Sequence, residues 1–409
     1  MTRVPLSILD LIPVAQGRTG REALQTTVEL ARAAEESGYH RFWVAEHHLA
    51  AGVASSSPGV LTAIIAAHTS TIRVGSGAVL LSTTSPLIAA EQFGTTSAFY
   101  PGRVDLGVGR AFTLPQAGTE GGNQGGKTNA AGEISKTPST PDRYVVTDRI
   151  IDSVVFPQAP PRLNDSALRE RYLAEQKVVS ASRVPAPFGQ EIDLILGLQG
   201  GGYTDNNGRR YVSPAVSGSD FELHILASSG GESAIVAAQR GLPLVANYHV
   251  SPATTLETIA AYRKNFVPGV LEKPYVIVSV DVLVATSTER ARQIAAPFGQ
   301  WVASIRAGTS GAEQYSAPNA VRGLTQEEQH IVADRLATRF VGTPQHVVER
   351  LEALQRVTQA DELLTTTVAH SHLDRVASLR LLAHEWQQDS AGTITKSVDL
   401  PELVEATQP

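Results

Sequence analysis

The chain of 409 residues contains no cysteine, which excludes disulfides, thiolate nucleophiles, iron–sulfur clusters and cysteine-ligated zinc. Met1 is the single methionine, and no basic run dominates: 34 Lys+Arg stand against 40 Asp+Glu, a net charge of −6. That balance carries no electrostatic footprint for a phosphate backbone, so nucleic acid is not an expected partner. Long apolar runs are missing too. Tyr275–Ala285 is about half the roughly 20 residues that a spanning helix needs, and Met1-Thr2-Arg3 leads into a strand-like run, not a signal-peptide core. A cytoplasmic protein without a membrane partner is expected. Leu9–Gly20 holds no Gly-rich dinucleotide fingerprint, and no HExxH pair supports a helical metal site.

What is present is alternation. Leu6–Leu11, Phe42–Ala45, Ile72–Leu81 and Arg103–Gly109 read as buried strands, separated by helical patterns at Arg21–Ser37, Pro58–Thr69 and Pro86–Phe99. The rhythm then breaks. Thr113–Asp142 has six glycines and only Leu114 and Ile134 as large aliphatic side chains, too little burial to offset ordering, so 112–220 is expected to be an enlarged, mobile insertion or lid. Within it, Tyr144–Phe156 reads as a strand or hairpin and Ser166–Ser182 as a helix. Strands resume at Phe221–Ala227, Leu244–Tyr248, Tyr275–Ala285 and Glu362–Val368, with helices expected at Thr288–Ala307, Thr325–Phe340 and Thr343–Val357 among others. Four strands before the insertion and four after it predict one (β/α)8 TIM-barrel domain over 1–409.

In such a barrel, function collects where the strands end. Those ends deliver Asp10, Glu46-His47-His48, Ser76-Gly77, Gly109-Arg110, Ser228–Ser233, Asn247-Tyr248-His249, Asp281 and His370. Glu46-His47-His48 admits three readings: a metal ligand set, a hydrogen-bonded structural histidine, or a general acid/base. Adjacent strand residues point to opposite faces, which disfavours the metal. Ser228-Ser229-Gly230-Gly231-Glu232-Ser233, between strand and helix, suits a phosphate through free N–H groups and the helix dipole; equally, Ser229 or Ser233 could simply cap the helix. Arg110 is either a partner for that phosphate or an ion-paired barrel arginine.

Several segments together resemble a known family: Leu6-Ser7-Ile8-Leu9-Asp10, "YHRFWVAEHH" at Tyr39–His48, "IRVGSGAVLL" at Ile72–Leu81, "SPLIAAEQFGT" at Ser85–Thr95, "PGRVDLGVGRA" at Pro101–Ala111 and "VGTPQHVVERL" at Val341–Leu351. The sequence is similar to the bacterial luciferase-like flavin-dependent monooxygenases, above all to the branch found among antibiotic-biosynthesis tailoring enzymes. The likeness covers Leu6–Ala111 and Phe221–Leu382, about two-thirds of the chain. It implies a two-component enzyme in which a separate flavin reductase supplies reduced FMN, O2 is the co-substrate, and a flavin hydroperoxide oxygenates a small organic substrate such as a natural-product intermediate. By position, the resemblance makes His47 the acid/base near the reactive edge of the flavin and Glu46 the residue that orients it. Ser76-Gly77 would form a non-proline cis peptide beneath the ring, and Arg110 with Ser228, Ser229, Gly230, Gly231 and Ser233 would hold the phosphate. Phe112, Tyr203 and Tyr248 are candidate substrate contacts. A homodimer through Pro58–Thr69 and Pro86–Phe99 is expected. Competing readings are a deazaflavin (F420)-dependent oxidoreductase of the same superfamily, a non-catalytic flavin-binding relative, and an interaction protein whose Gly-rich insertion docks partners.

Overall fold

A computed structural model describes residues 2–110, 148–160, 166–179, 186–307 and 311–388. Eight parallel strands close into a barrel: β1 (Leu6–Asp10), β2 (Arg41–Val44), β3 (Arg73–Ser76), β4 (Val104–Gly109), β5 (Glu222–Ala227), β6 (Leu244–Ala246), β7 (Val276–Val284) and β8 (Glu362–Thr366). Each pairs with the next, and β8 pairs with β1 to shut the ring. The helices follow in order: α1 (Gly20–Glu36), α2 (Pro58–His68), α3 (Pro86–Phe99), α4 (Ser166–Val179), α5 (Phe188–Gln199), α6 (Glu232–Gln239), α7 (Thr255–Asn265), α8 (Thr288–Ala295), α9 (Phe298–Ala307), α10 (Gln326–Thr338), α11 (Pro344–Thr358) and α12 (His372–Gln387).

Strand parity sorts the core into two layers. Leu6, Ile8, Phe42, Val44, Val74, Leu106, Ile225 and Val278 belong to the layer beneath the helices. Leu9, Trp43, Leu226, Val245, Ile277 and Leu364 fill the barrel, and their cluster runs on into Phe298, Trp301 and Ile331 of α9 and α10, which therefore cap part of one end.

The TIM barrel matches the expectation, while some elements differ. The helix expected over Thr288–Ala307 splits into α8 and α9 at Pro297, which has no N–H to donate and clashes with the preceding turn. Phe340 is not helical; Phe340–Gly342 forms a short strand on Val282–Val284 of β7. The stretch 112–220 is not insertion throughout, because α5 packs between α3 and α6 as one of the barrel's own helices. Arg149–Ile151 and Val154–Phe156 form the hairpin expected near there. Most of the glycine-rich run lies outside the described residues.

The end of the barrel where the strands begin is closed by charge. Arg41 donates to Asp105 (2.8 Å), Glu222 (2.9 Å) and Glu362 (3.1 Å), and Arg73 donates to the other oxygen of Asp105 (2.9 Å). Ser7 and Tyr275 also bond Glu362. Donor atoms of Asp105, Glu222 and His224 lie within 4.8 Å of one another, a spacing that could hold a metal ion, but the two arginines already occupy both carboxylates. His224 sits in this layer fully buried; among the described residues neither ring nitrogen has a hydrogen-bond partner, the Glu222 carboxylate standing 3.7 Å from Nε2. Burial, then the positive charge of Arg41, pushes its pKa down to about 3.

Two outcomes are expected in denaturant titrations. Asp105→Ala leaves the buried Arg41 and the partly buried Arg73 short of a partner and costs about 3–5 kcal/mol. His224→Leu removes two unsatisfied nitrogens, so stability at pH 7 is kept or raised by about 1 kcal/mol. An imidazole whose folded pKa lies below its unfolded value is protonated first in the unfolded chain. Stability is thus full above about pH 6.5 and declines as the pH falls toward about 3, and the Leu variant shows a shallower decline.

Candidate active site

At the opposite end, β3 breaks and resumes. Gly75 pairs with Asp105 and Val79 with Val108, so four steps on one strand face three on the other, a bulge of one residue. The Ser76 hydroxyl donates to the Gly107 carbonyl (2.9 Å) and accepts from the Gly107 N–H (3.1 Å), which keeps Ser76 in register. The break consequently falls after it. The cis peptide bond is Gly77–Ala78, one residue beyond the expected Ser76-Gly77. Gly77 faces the barrel interior, where a Cβ would come within 2.9 Å of the Leu9 side chain and 3.2 Å of the Trp43 ring, so a larger residue would have to displace Leu9.

Glu46 locks this break to the end of β2. It is buried and accepts from the Leu80 N–H (2.9 Å), the Thr83 hydroxyl (2.6 Å) and His48 Nε2 (2.7 Å). It does not bond His47, contrary to the orienting role expected for it. The reason is parity: Trp43 and Ala45 belong to the inner layer and Phe42 and Val44 to the outer one, so Glu46 and His47 leave the strand on opposite sides. The His47 ring is open to the mouth and has no side-chain hydrogen bond among the described residues, while its N–H donates to Ser55 O (2.6 Å). Surrounding protein, then the neighbouring His48, holds its pKa below the usual imidazole value, which makes it neutral at pH 7. A cavity of about 410 Å³ lies on the Glu46 side, lined by Glu46, His48, Ser57, Val60, Thr83 and Val178 but not by His47.

Across the mouth, Arg110 reaches from the end of β4 to Glu232, the first residue of α6. This brings it against the turn Ser228–Ser233. No serine caps α6; Gly231 occupies the N-cap without a side-chain bond, and the N–H groups from Ser229 to Ala234 find no partner among the described residues. The turn is held from behind: Asn247 donates to Ser228 Oγ (3.1 Å), Thr254 to Ser228 O (2.6 Å), and Gly230 lies so near α7 that a Cβ would stand 3.1 Å from Ala261. The result is a row of backbone donors beside a guanidinium that is ion-paired to Glu232, in line with the second reading of Arg110; an anion bound to these N–H groups would share Arg110 with that carboxylate. Asn247 Oδ1 is buried nearby, without a partner among the described residues.

The aromatic candidates do not join this group. Tyr248 is fully buried in the outer layer, its ring against Phe156 and Phe340 and its hydroxyl donating to Val155 O (2.7 Å) beneath the Arg149–Phe156 hairpin. Tyr203 packs on Gly197 near the C-terminus of α5, in a two-residue strand paired with Tyr211. Phe112 lies outside the described residues. His249, next to Tyr248, does turn into the mouth; the sequence places it at a strand end without a role expected of it.

Residues 4–133 and 198–360 match the family described as luciferase-like monooxygenase. The chain belongs to this family. A protein of Escherichia coli (strain K12) named luciferase-like monooxygenase is 32% identical over 92% of this chain and 96% of its own. Among solved structures, apo-MsnO8 is 28% identical with a TM-score of 0.69, covering 94% of this chain and 98% of that one. Two more distant structures share the fold. One is the oxygenating constituent of 3,6-diketocamphane monooxygenase from Pseudomonas putida, in complex with FMN (15% identity, TM-score 0.59, 94% and 97% covered). The other is an F420-dependent secondary alcohol dehydrogenase (12%, 0.56, 95% and 100%).

Within this luciferase-like family member, neighbouring residues are expected to behave oppositely. Glu46→Ala removes three hydrogen bonds to one buried carboxylate and costs about 2–4 kcal/mol. His47→Ala removes a ring without a bonding partner and shifts stability by about 0.5 kcal/mol or less. Thermal unfolding of the two variants beside the parent checks both.

Proposed function

We propose that this chain is a monooxygenase that binds reduced FMN across the mouth and uses O2 to oxygenate a small organic substrate. The observation that carries the reading is the unpartnered row of N–H groups from Ser229 to Ala234 beside Arg110, a donor set that fits a phosphate monoester. When bound, reduced FMN with O2 supplies the oxidising chemistry. The chain's own residues do the rest. Arg110 and the turn hold the phosphate end, and Gly77 keeps the floor free of a side chain so that a flat ring can lie on the broken strand. His47, neutral and open to the mouth, is placed to accept a hydrogen bond or a proton at its unprotonated ring nitrogen. The α9–α10 cap and the apolar barrel core exclude water. In this reading the flavin arrives reduced from a separate reductase, in the cytoplasm. Among the described residues no helix is long and apolar enough to cross a membrane.

Anaerobic titration with reduced FMN and, separately, reduced deazaflavin F420 tests the cofactor, followed by mixing with oxygenated buffer. Tight FMN binding and an oxygen-dependent absorbance transient are expected; preference for the deazaflavin overturns the reading. Arg110→Ala loses a charge-assisted contact worth about 1.5–3 kcal/mol, a weakening of roughly ten- to hundred-fold, and an unchanged isotherm assigns Arg110 to structure.

The proposed enzyme is a homodimer joined through α2 and α3, neighbouring helices that expose Val60, Ile64, Leu87, Ile88 and Phe99. Light scattering should give twice the chain mass, and Phe99→Glu should shift the population to monomer.

A further inference from the structure

His249 stands just past β6 with one edge fixed and the other free. Its N–H donates to Ser279 O (3.1 Å), and its Nδ1 lies 2.5 Å from Ser279 Oγ. Ser279 alternates with Ile277 and Asp281 on the inner face of β7. The serine has one proton, and the Ala246 carbonyl 3.3 Å from its Oγ can only accept. The arrangement that makes hydrogen bonds of both contacts sends Oγ–H to Ala246, whose carbonyl also accepts the Tyr248 N–H, and gives the serine lone pair Nδ1–H, which leaves Nε2 bare. Nε2 has no partner among the described residues and is not among the polar atoms sealed from solvent. The charged and titratable groups facing this ring are Asp281, Arg335 and His47. Asp281 is spoken for by Arg335 (2.9 Å) and Thr366 (2.5 Å), so no carboxylate pairs with the imidazole. Burial dominates and holds the pKa down to about 4, which makes Nε2 a weak base that accepts a hydrogen bond without taking the proton.

We propose that His249 is a substrate-contacting residue whose bare Nε2 accepts a hydrogen bond from the substrate, so that the mouth selects neutral molecules bearing a phenol- or enol-type O–H. The proposal rests on the mouth being the active site, and deepens that reading by giving a substrate class. A weak base favours the protonated donor. Binding should therefore weaken as the ligand itself ionises, since an anionic oxygen meets a lone pair instead of donating to it.

The test uses the full chain without flavin and two probes of like size, 4-nitrophenol and 4-nitroanisole, the second lacking the O–H. Titrations below the ionisation range of the phenol should show it bound roughly five- to ten-fold more tightly than the ether. His249→Phe should erase that preference, and Ser279→Ala, which frees the tautomer, should reduce it. Nitrogen-15 spectra of the parent should show Nδ1 protonated and Nε2 not. Equal binding of the two probes, no saturable binding of either, a preference that survives in His249→Phe, or a proton on Nε2 overturns the proposal. Reduced-FMN titration of the parent stands apart from these readouts: if FMN binds and the probe preference is absent, this inference alone fails. If FMN does not bind, the cofactor reading fails by itself.

Discussion

One guanidinium sets what this barrel can be. Arg41 bonds acids on β4, β5 and β8 from its own place on β2, and Arg73 on β3 shares Asp105 with it. Five strands thus meet in one ion network, buried at Arg41, Asp105 and Glu362 and open to solvent at Glu222, at the end where they begin. Charges so placed are costly to desolvate, and they are tolerated because each carboxylate oxygen named here has a donor. The consequence is directional. With that end plugged by charge and the middle filled by Leu9, Trp43, Leu226, Val245, Ile277 and Leu364, the barrel interior is closed from below, and the strand ends that carry the candidate residues lie at the other end.

That end is itself half closed. Gly52 N–H donates to Ala312 O (2.6 Å), Tyr315 N–H to Val14 O (2.8 Å) and Gln16 N–H to Tyr315 O (2.9 Å), so the segment after α9 is stitched to the loops following β1 and β2. The loop after β1 makes room for it by an uncommon turn: Ile12 has a φ of 52°, and its N–H donates to the Asp10 carboxylate (2.8 Å), which Arg375 grips from α12 (2.5 Å). The cap covers the side of β1, β2, β7 and β8. Among the described residues the cap leaves uncovered the arc from the break in β3 round to β6, where Arg110, the Ser228–Ser233 turn and His249 lie, with His47 at its edge on the end of β2.

Much of this was legible in the sequence because it follows from periodicity. The eight strands, the glycines of β3 and the place of the serine–glycine turn all come from patterns that a parallel barrel requires. The bulge was not legible. Nothing in "RVGSGAVLL" says which residue is extra; that is decided by Ser76 bonding Gly107 across the sheet, a contact 31 residues away in sequence. The floor network was hidden for a similar reason, since Arg41, Asp105, Glu222 and Glu362 each look like ordinary charged residues near strand ends, and only closure of the ring brings them together.

The misplaced side chains had a signal that went unused. Leu244 and Ala246 belong to the outer layer and Val245 to the inner one, so continuing the alternation sends Asn247 and His249 inward and Tyr248 outward. The same count on β2 sends His47 inward and Glu46 out. An aromatic at a strand end attracts a pocket reading because aromatics dominate binding sites, yet Tyr248 buries its ring in the helix layer and uses its hydroxyl to hold the Arg149–Phe156 hairpin. The two jobs are complementary. Tyr248 fixes the outside of the β6 end, and that anchorage is what allows His249, one residue on, to hold a single orientation against Ser279 with its free edge toward the mouth.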